Sequence, residues 1–566
     1  MAYRDLQDFL KELEACNELI KIKVPVSTEL EMTEIADRVS KANGSALLFE
    51  QAKGFRYPVV MNAMGTTKRM SKALGVDDLD EIGNEIEKYL NFENYLSIRG
   101  LVSSIPRMLR LLHVFPRRSR RRGACQQVIE RNPDLDTLPV LKCWPQDAGR
   151  FFTLPLVFTK EAKSRRQNVG MYRLQVLDKT STGMHWHKHK DGSEIFQSYA
   201  KKGLMMPVSV ALGCDPAITY AATSPLPKML DEMMFAGWLR KARVKMVKCI
   251  TNDIYVPADA EFVLEGYVDP TEELVWEGPF GDHTGYYSLA DYYPRFHVTC
   301  ITHKKSPVYP ATVVGKPPME DCYMAKATER IFLPFLRMQI PEMVDLNLPL
   351  EGVFHNCAII SIRNRYPGAA RKVMNAIWGM GQMMYTKMII VVDDSVDVQN
   401  LSQVSDNVMK NVRGSESLIF STGPLDALDH SSGKALYGYR LGVDGTPSQI
   451  ASEEGVKDSF VVIPIEKTQD YQGKKTLEEY LPVHNEKFVI VVDSFIDPKD
   501  LSTVMWKVFN NIDASRDIVI HGQKIGIDAT RKFPGEGLTR DWPDDIVMSD
   551  EMKEVVSERW SEYGID

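Results

Sequence analysis

Eight cysteines, at 16, 125, 143, 214, 249, 300, 322 and 357, are scattered with no C-x-x-C pair among them. That spacing excludes a structural zinc site of the usual kind and gives no disulfide framework, so the expectation is a reducing, cytoplasmic setting. No uncharged apolar run approaches the roughly 18 residues that a membrane span needs. The opening stretch "MAYRDLQDFLKELEACNELIKI" lacks the basic start and apolar core of a signal peptide and reads as an amphipathic helix. Positive charge is not in excess either: the net charge is -7, which argues against a protein dedicated to nucleic acid.

What is present is a chain of 566 residues, more than one core usually supports. Over the first 110 residues helical and strand patterns alternate: "DLQDFLKELEACNEL" and "DEIGNEIEKYL" have helical apolar spacing, while "ALLFEQ" and "YPVVMNA" read as buried strands. A basic run follows, with five arginines between 117 and 122. It reads as a solvated linker, with contact to a phosphate, polyanion or acidic partner as the alternative. From about 138 to 310 the texture is of short strands: "LPLVFTK", "GMYRLQVLD", "MPVSVALG", "VKMVKCI", "FVLEGYV" and "RFHVTCITH". Strands at that density predict a sandwich or barrel.

Beyond 320 the α/β texture returns, with an internal repeat. "KMIIVVDDSVDVQNLSQVSDNVMKNV" from Lys387 and "KFVIVVDSFIDPKDLSTVMWKVFNNI" from Lys487 align without a gap at an offset of 100, with eleven identities. Each copy closes on a related element, "GVDGT" at 442 and "GIDAT" at 526. The apolar run predicts a buried strand, and Asn400 and Asp500 are candidate N-caps of the helix that follows.

Four stretches carry chemistry. "EGPFGDHTGYY" places Glu277 and Asp282 five residues apart, with glycines at 278, 281 and 285 that let the backbone fold both acids toward one cavity. Two carboxylates crowded in an apolar wall would hold at least one proton near neutral pH, as a general acid must; a surface turn with solvated charge is the bland alternative. "NVGMYRLQ" reads as a strand from Asn168, with alternation putting Tyr172 and Arg173 on opposite faces. "GMHWHKHKDG" sets His185, His187 and His189 on one face of a strand, either as metal ligands or as a polar sheet face. In "LDEMMFAGWLRKA", Asp231 and Glu232 begin an apolar helix as caps or as carboxylates drawn to a cation.

In this order, "NVGMYR", "VSVALGCDPA", the acidic helix before "FAG", "VKCITNDIYVPADAEFVLEGYVDP" and "EGPFGDHTGYY" followed by "GKPPMED" resemble the UbiD-like family of aromatic acid decarboxylases that use prenylated FMN. The resemblance runs from roughly residue 5 to 412 and resumes over the final repeat. It implies an α/β (α+β mixed) fold. An N-terminal α/β domain would occupy 1–120, a flavin-reductase-like split β-barrel binding prenylated FMN 121–318, and a C-terminal α/β oligomerisation domain 319–545, with repeats 387–446 and 487–530. A C-terminal helix would follow at 546–566.

The resemblance also implies site residues. Asn168 and Glu232 correspond to ligands of a divalent cation, manganese or magnesium, that bridges to the cofactor phosphate, and His189 lies near a third ligand; potassium is a further candidate ion. Oxygen donors beside a phosphate suit such hard ions better than zinc. Met171, Tyr172 and Arg173 match the segment lining the flavin, and His185, Trp186, His187, Lys190 and Asp191 the segment around its phosphate. Arg173, Glu277 and Asp282 match the catalytic network, with Asp282 in the proton-donor position. The implied reaction is reversible, non-oxidative decarboxylation of an aromatic or α,β-unsaturated acid. Loss of carbon dioxide from such an acid leaves an sp² carbanion that no side chain can stabilise, hence the need for the cofactor.

The chain departs from the family pattern at His185, Lys190 and Asp191, where arginine and glycine are typical, and in its duplicated C-terminal unit. Long members are associated with quinone pathways. The expected substrate is therefore a hydroxybenzoate-type acid of ubiquinone biosynthesis, with a naphthoate of menaquinone biosynthesis as runner-up. A noncatalytic flavin-binding or scaffold subunit of a carboxylase is the alternative of another class. Expected partners are a flavin prenyltransferase supplying the cofactor and further copies of the chain, as a homodimer or higher even oligomer. No nucleic acid is expected, and membrane contact would be peripheral, if the substrate is prenylated.

Overall fold

A computed structural model describes residues 3–91, 104–105, 109, 111, 114–164, 166–186, 191–227 and 230–565. The chain forms two compact units, one of residues 1–328 with 545–566, the other of residues 329–544. Among the described residues no helix is long and apolar enough to cross a membrane.

The first unit opens with the expected amphipathic helix, Leu6–Ala15, which buries Leu6, Phe9, Leu10 and Leu13 and is capped by Asp5 accepting from the N–H of Asp8 at 2.9 Å. The two predicted strands of this region, Ala46–Phe49 and Val59–Met61, lie in a four-stranded sheet between Leu19–Ile22 and Tyr309–Pro310. Helix Asp550–Glu558 returns to this part of the unit: Arg38 Nη2 donates to the carbonyl of Lys553 at 2.8 Å, and Tyr563 to Glu31 Oε1 at 2.9 Å. The basic run is in part structured. Arg117–Ser119 pairs in parallel with Lys245–Lys248, and the Arg118 guanidinium lies over the Tyr255 ring at 4.5 Å, so the arginines decorate a sheet edge.

A nine-stranded sheet dominates the unit. Its hydrogen-bonded path runs Phe151–Phe152, Leu174–Asp178, Ser181–Met184, Arg295–His303, Phe262–Val268, Met206–Leu212, Leu156–Lys160 and Gln167–Met171, with Val128–Glu130 paired to Arg295–His303. The pairing is antiparallel throughout. Gln167–Met171 ends one side of this path, while Leu174–Asp178 is one strand from the other side, yet only Tyr172 and Arg173 separate them. Three residue steps span at most about 11 Å, so the sheet must roll until its ends nearly meet. This rolled, unclosed sheet fits the split barrel expected from the resemblance. It also corrects the reading of "NVGMYRLQ" as one strand: the strand breaks at Tyr172–Arg173, in the seam.

In the second unit the repeat is structural. One copy forms the sheet Met343–Asn347, Cys357–Ile362, Met388–Asp393, Tyr437–Asp444, Leu418–Pro424; the other forms Lys457–Ile465, Glu486–Asp493, Lys524–Asp528, Ile518–His521. In both, the apolar strand pairs in parallel with the strand of the closing motif, Ile389 opposite Gly442 and Val489 opposite Gly526. Both glycines lie under a helix side chain: a Cβ would come 2.5 Å from Met374 Sδ at Gly442 and 2.8 Å from Leu477 Cδ2 at Gly526. The closing aspartates take the N–H and hydroxyl of the threonine two residues on, Asp444 from Thr446 at 3.0 and 2.7 Å and Asp528 from Thr530 at 3.1 and 2.6 Å. Asn400 and Asp500 cap their helices as expected, accepting from Gln403 and Thr503. Met388, Val392 and Val404 of one copy share a core with Ile490, Val492 and Val504 of the other.

Candidate active site

The stretch "EGPFGDHTGYY" folds as a double hairpin. An outer pair sets Val275, Trp276 and Glu277 opposite Tyr293, Tyr292 and Asp291, and an inner pair sets Phe280 and Gly281 opposite Ser288 and Tyr287. The tip turns over residues 282–286: Asp282 N–H donates to the carbonyl of Tyr286 at 3.2 Å and Gly285 N–H to that of Asp282 at 3.0 Å. Gly285 holds φ +84 there, which an L side chain rarely adopts. Glu277 thus stands on the arm and Asp282 at its tip, and both face Arg173 in the seam of the rolled sheet.

Arg173 joins them. Its Nε donates to Glu277 Oε1 at 2.9 Å and its Nη2 to Glu277 Oε2 at 3.1 Å, a fork-to-fork pair, while Nη1 donates to Asp282 Oδ2. Nη2 also reaches Ser288 Oγ at 3.1 Å, and the guanidinium lies over the Phe280 ring at 4.6 Å. Glu277 Oε2 also bonds His185 Nδ1 at 2.9 Å, and the remaining oxygen, Asp282 Oδ1, accepts from the His283 N–H at 2.8 Å and bonds its Nδ1 at 3.0 Å. The His185 ring rests on Tyr293 at 4.4 Å between centroids.

Burial and charge oppose each other at these acids, and charge wins. Burial alone would raise the Glu277 carboxyl, but Arg173 and His185 hold it at about 2; Asp282 is driven well below the usual carboxylate range, against its own burial, by Arg173 and His283. Burial, aided by the charge of Arg173, lowers His185 and favours its neutral form. The sequence predicts that one of the two acids keeps a proton. The structure instead ionises both, because one guanidinium serves both carboxylates.

The arm is fastened by groups that sequence reasoning passes over. Gln175 Oε1 accepts from the N–H of Gly278 at 2.8 Å. Asp147, buried on the turn 143–147, accepts from the N–H groups of Gly281, Trp144 and Cys143. The N–H of Ile546 donates to the carbonyl of Gly285 at 2.9 Å, beside a bridge between Tyr286 and Asp545. Gln175 was findable, two residues beyond Arg173 at the start of strand Leu174–Asp178; Asp147 and residues 545–546 carry no local signal.

Asn168 and Met171 are on strand Gln167–Met171. Asp231 caps helix Glu232–Arg240 by accepting from Met233 and Met234, which leaves the Glu232 carboxylate turned to that strand, where Oε2 accepts from the N–H of Val169 at 3.5 Å. Two hard oxygen donors, Asn168 and Glu232, are thereby brought to one strand. Among the described residues no group of three His, Cys, Asp or Glu forms a metal cage. Tyr172 and Trp186 meet edge to face at 6.5 Å. Among the described residues no acceptor meets the buried indole Nε1 of Trp186, a donor of the kind an anionic phosphate oxygen would satisfy. The expected histidine stripe is corrected in part: strand Ser181–Met184 ends before His185, which turns to Glu277. His187, His189 and Lys190 lie outside the described residues, and Asp191 begins helix Asp191–Ala200.

Three family models match the chain in order. They are the 3-octaprenyl-4-hydroxybenzoate carboxy-lyase N-terminal domain over residues 10–86, the Rift-related domain over 117–317, and the C-terminal domain over 322–445 and 450–533. An uncharacterized protein of Archaeoglobus fulgidus is 50% identical over 448 residues, covering 79% of this chain and 92% of its own. Among solved structures, the vanillic acid decarboxylase of Sedimentibacter hydroxybenzoicus in its closed form is similar with TM-score 0.69 and 26% identity, covering 85% of this chain and 99% of its own. The UbiD-class enzyme HmfF of Pelotomaculum thermopropionicum, an evolved dimeric form in complex with prFMN, is similar with TM-score 0.66 and 24% identity, covering 80% and 97%.

Proposed function

Because this chain belongs to the UbiD family of 3-octaprenyl-4-hydroxybenzoate carboxy-lyases, we propose that it decarboxylates, reversibly, an aromatic acid with prenylated FMN and a divalent cation. The observation that carries this reading is the buried Arg173, Glu277 and Asp282 network held in the seam of the rolled sheet. When bound, the cofactor supplies the electrophilic carbon that accepts the electron pair left by departing carbon dioxide. Trp186, Tyr172 and Met171, with His185, His187, Lys190 and Asp191, are the residues we assign to binding it. Asn168, Glu232 and His189 are assigned to manganese or magnesium at its phosphate, on the strength of the oxygen donors around Val169.

The chain's own residues do the rest. Arg173 is a fixed cation; Glu277, wholly buried and ionised, locks its fork in one orientation. Asp282, ionised at rest with one oxygen on Arg173, is the group we assign to take up a proton during turnover and deliver it in place of the lost carboxylate. Phe280 and Tyr293 line the network with apolar surface, and a poorly hydrated pocket favours conversion of a charged carboxylate to neutral carbon dioxide.

The substrate proposed is a hydroxybenzoate-type acid of quinone biosynthesis, with a naphthoate as runner-up. A scaffold without activity would have no use for a buried cation shared by two acids, and nothing in the site favours that reading. The test is to produce the protein together with a flavin prenyltransferase, record its absorbance and mass spectra, and assay carbon dioxide release from hydroxybenzoates and hydroxynaphthoates. Cofactor-loaded protein inert toward every aromatic acid would sink the proposal. A homodimer or higher even oligomer is proposed alongside; light scattering that returned only a 64.2 kDa particle would refute it.

A further inference from the structure

Decarboxylation consumes one proton per turnover, since a carboxylate and a proton become a carbon–hydrogen bond and carbon dioxide. If Asp282 delivers that proton, as the proposed function has it, it must be reloaded each time. Among the described residues its carboxylate has three hydrogen-bond donors: Arg173 Nη1 on Oδ2, and the backbone N–H and ring Nδ1 of His283 on Oδ1, at 2.8 and 3.0 Å. The guanidinium does not give up a proton at any pH the protein survives, nor does an amide N–H. Of the three donors only the imidazole is a group that can exchange its proton with solvent. It is also the most open member of the group, its side chain 19% exposed against 13% for Asp282, 8% for Arg173 and none for Glu277.

We propose that His283 is the proton-loading residue of this site, passing a proton from Nδ1 to Asp282 Oδ1 once per turnover. The imidazolium gives its proton to the carboxylate, and the neutral ring is then reprotonated from solvent. Thus one proton from water replaces the one that ends on carbon. The surroundings suit the task. Asp321, second in helix Glu320–Gln339, has its carboxyl pushed up to about 6 by burial and drawn back by the charge of His283, so a second buried acid lies within electrostatic reach of the ring.

The inference rests on the proposed function, and the test separates the two. His283→Ala and His283→Asn are compared with the parent protein, all loaded with cofactor and checked by absorbance. His283→Ala should lose about 10²-fold in turnover and regain it when imidazole is added, whereas Asp282→Asn should not respond to imidazole. His283→Asn keeps a hydrogen bond to Oδ1 but carries no labile proton, so it should be as slow as the alanine variant. In cofactor-free protein with ¹⁵N-labelled histidine, the His283 Nδ1 resonance should move on Asp282→Asn. Turnover of His283→Ala near the parent rate, a loss that imidazole does not repair, or a fast His283→Asn would each overturn the relay. An inert parent would instead overturn the proposed function.

Discussion

The backbone N–H of Gly281 donates to Oδ1 of Asp147 at 2.8 Å, while Oδ2 of the same carboxylate takes the N–H groups of Cys143 and Trp144 at 3.1 and 2.9 Å. The residue next to Gly281 is Asp282, so a buried acid 135 positions earlier than Asp282 in the chain fixes the height of the tip. Burial pushes Asp147 up to about 7 even against these three donors. Asp147→Ala strands all three N–H groups, each costing about 1–3 kcal/mol when buried and unmatched. We expect a lowered denaturant midpoint together with a fall in kcat larger than any change in KM.

Asp282→Asn is nearly isosteric and keeps an oxygen for Arg173, so fold and cofactor should persist. Turnover should drop by roughly 10² to 10⁴, the usual scale for a lost general acid. Steady-state kinetics on protein with a parent-like absorbance spectrum check this.

Glu277 makes acid sensitivity measurable. Its carboxyl sits at about 2 in the fold against an ordinary 4.5. A depressed folded value means the stabilisation is complete above pH 4.5 and is lost as pH falls from there through 2, on the order of 3 kcal/mol in all. Urea midpoints at pH 6 and pH 3 should therefore differ more in the parent than in Glu277→Gln, which has no such proton to take up.

Asn168→Ala and Glu232→Ala remove one oxygen donor on strand Gln167–Met171 and one on the helix that faces it. Both should abolish manganese-dependent retention of prenylated FMN as well as activity, while leaving the helix cap at Asp231 intact. Parent-level cofactor occupancy in both variants, read by absorbance after gel filtration, would falsify the metal assignment.

Period and spacing announced much of this architecture. The helix Leu6–Ala15, the strands of the rolled sheet and the duplicated strand-helix unit are all local patterns, so one sequence reveals them. The convergence of Glu277 and Asp282 was legible as a possibility because glycines at 278, 281 and 285 let the backbone fold into a tight arm. The break at Tyr172–Arg173 was not, since both residues are good strand formers and the seam is imposed by the far strands of the sheet. The ionisation of both acids was equally hidden: it depends on a guanidinium more than 100 positions from either. Asp147 and Ile546 act through backbone N–H and carbonyl groups, which leave no trace in residue identity.

The bond from Ile546 to Gly285 ties the tip of the arm to a segment made only after the whole of 329–544 has been synthesised. On the ribosome, Arg173, Glu277 and Asp282 would all emerge long before this fastening arrives. A chain cut short within the second unit would carry Arg173, Glu277 and Asp282 with the arm held by Asp147 and Gln175 but without the bond from Ile546.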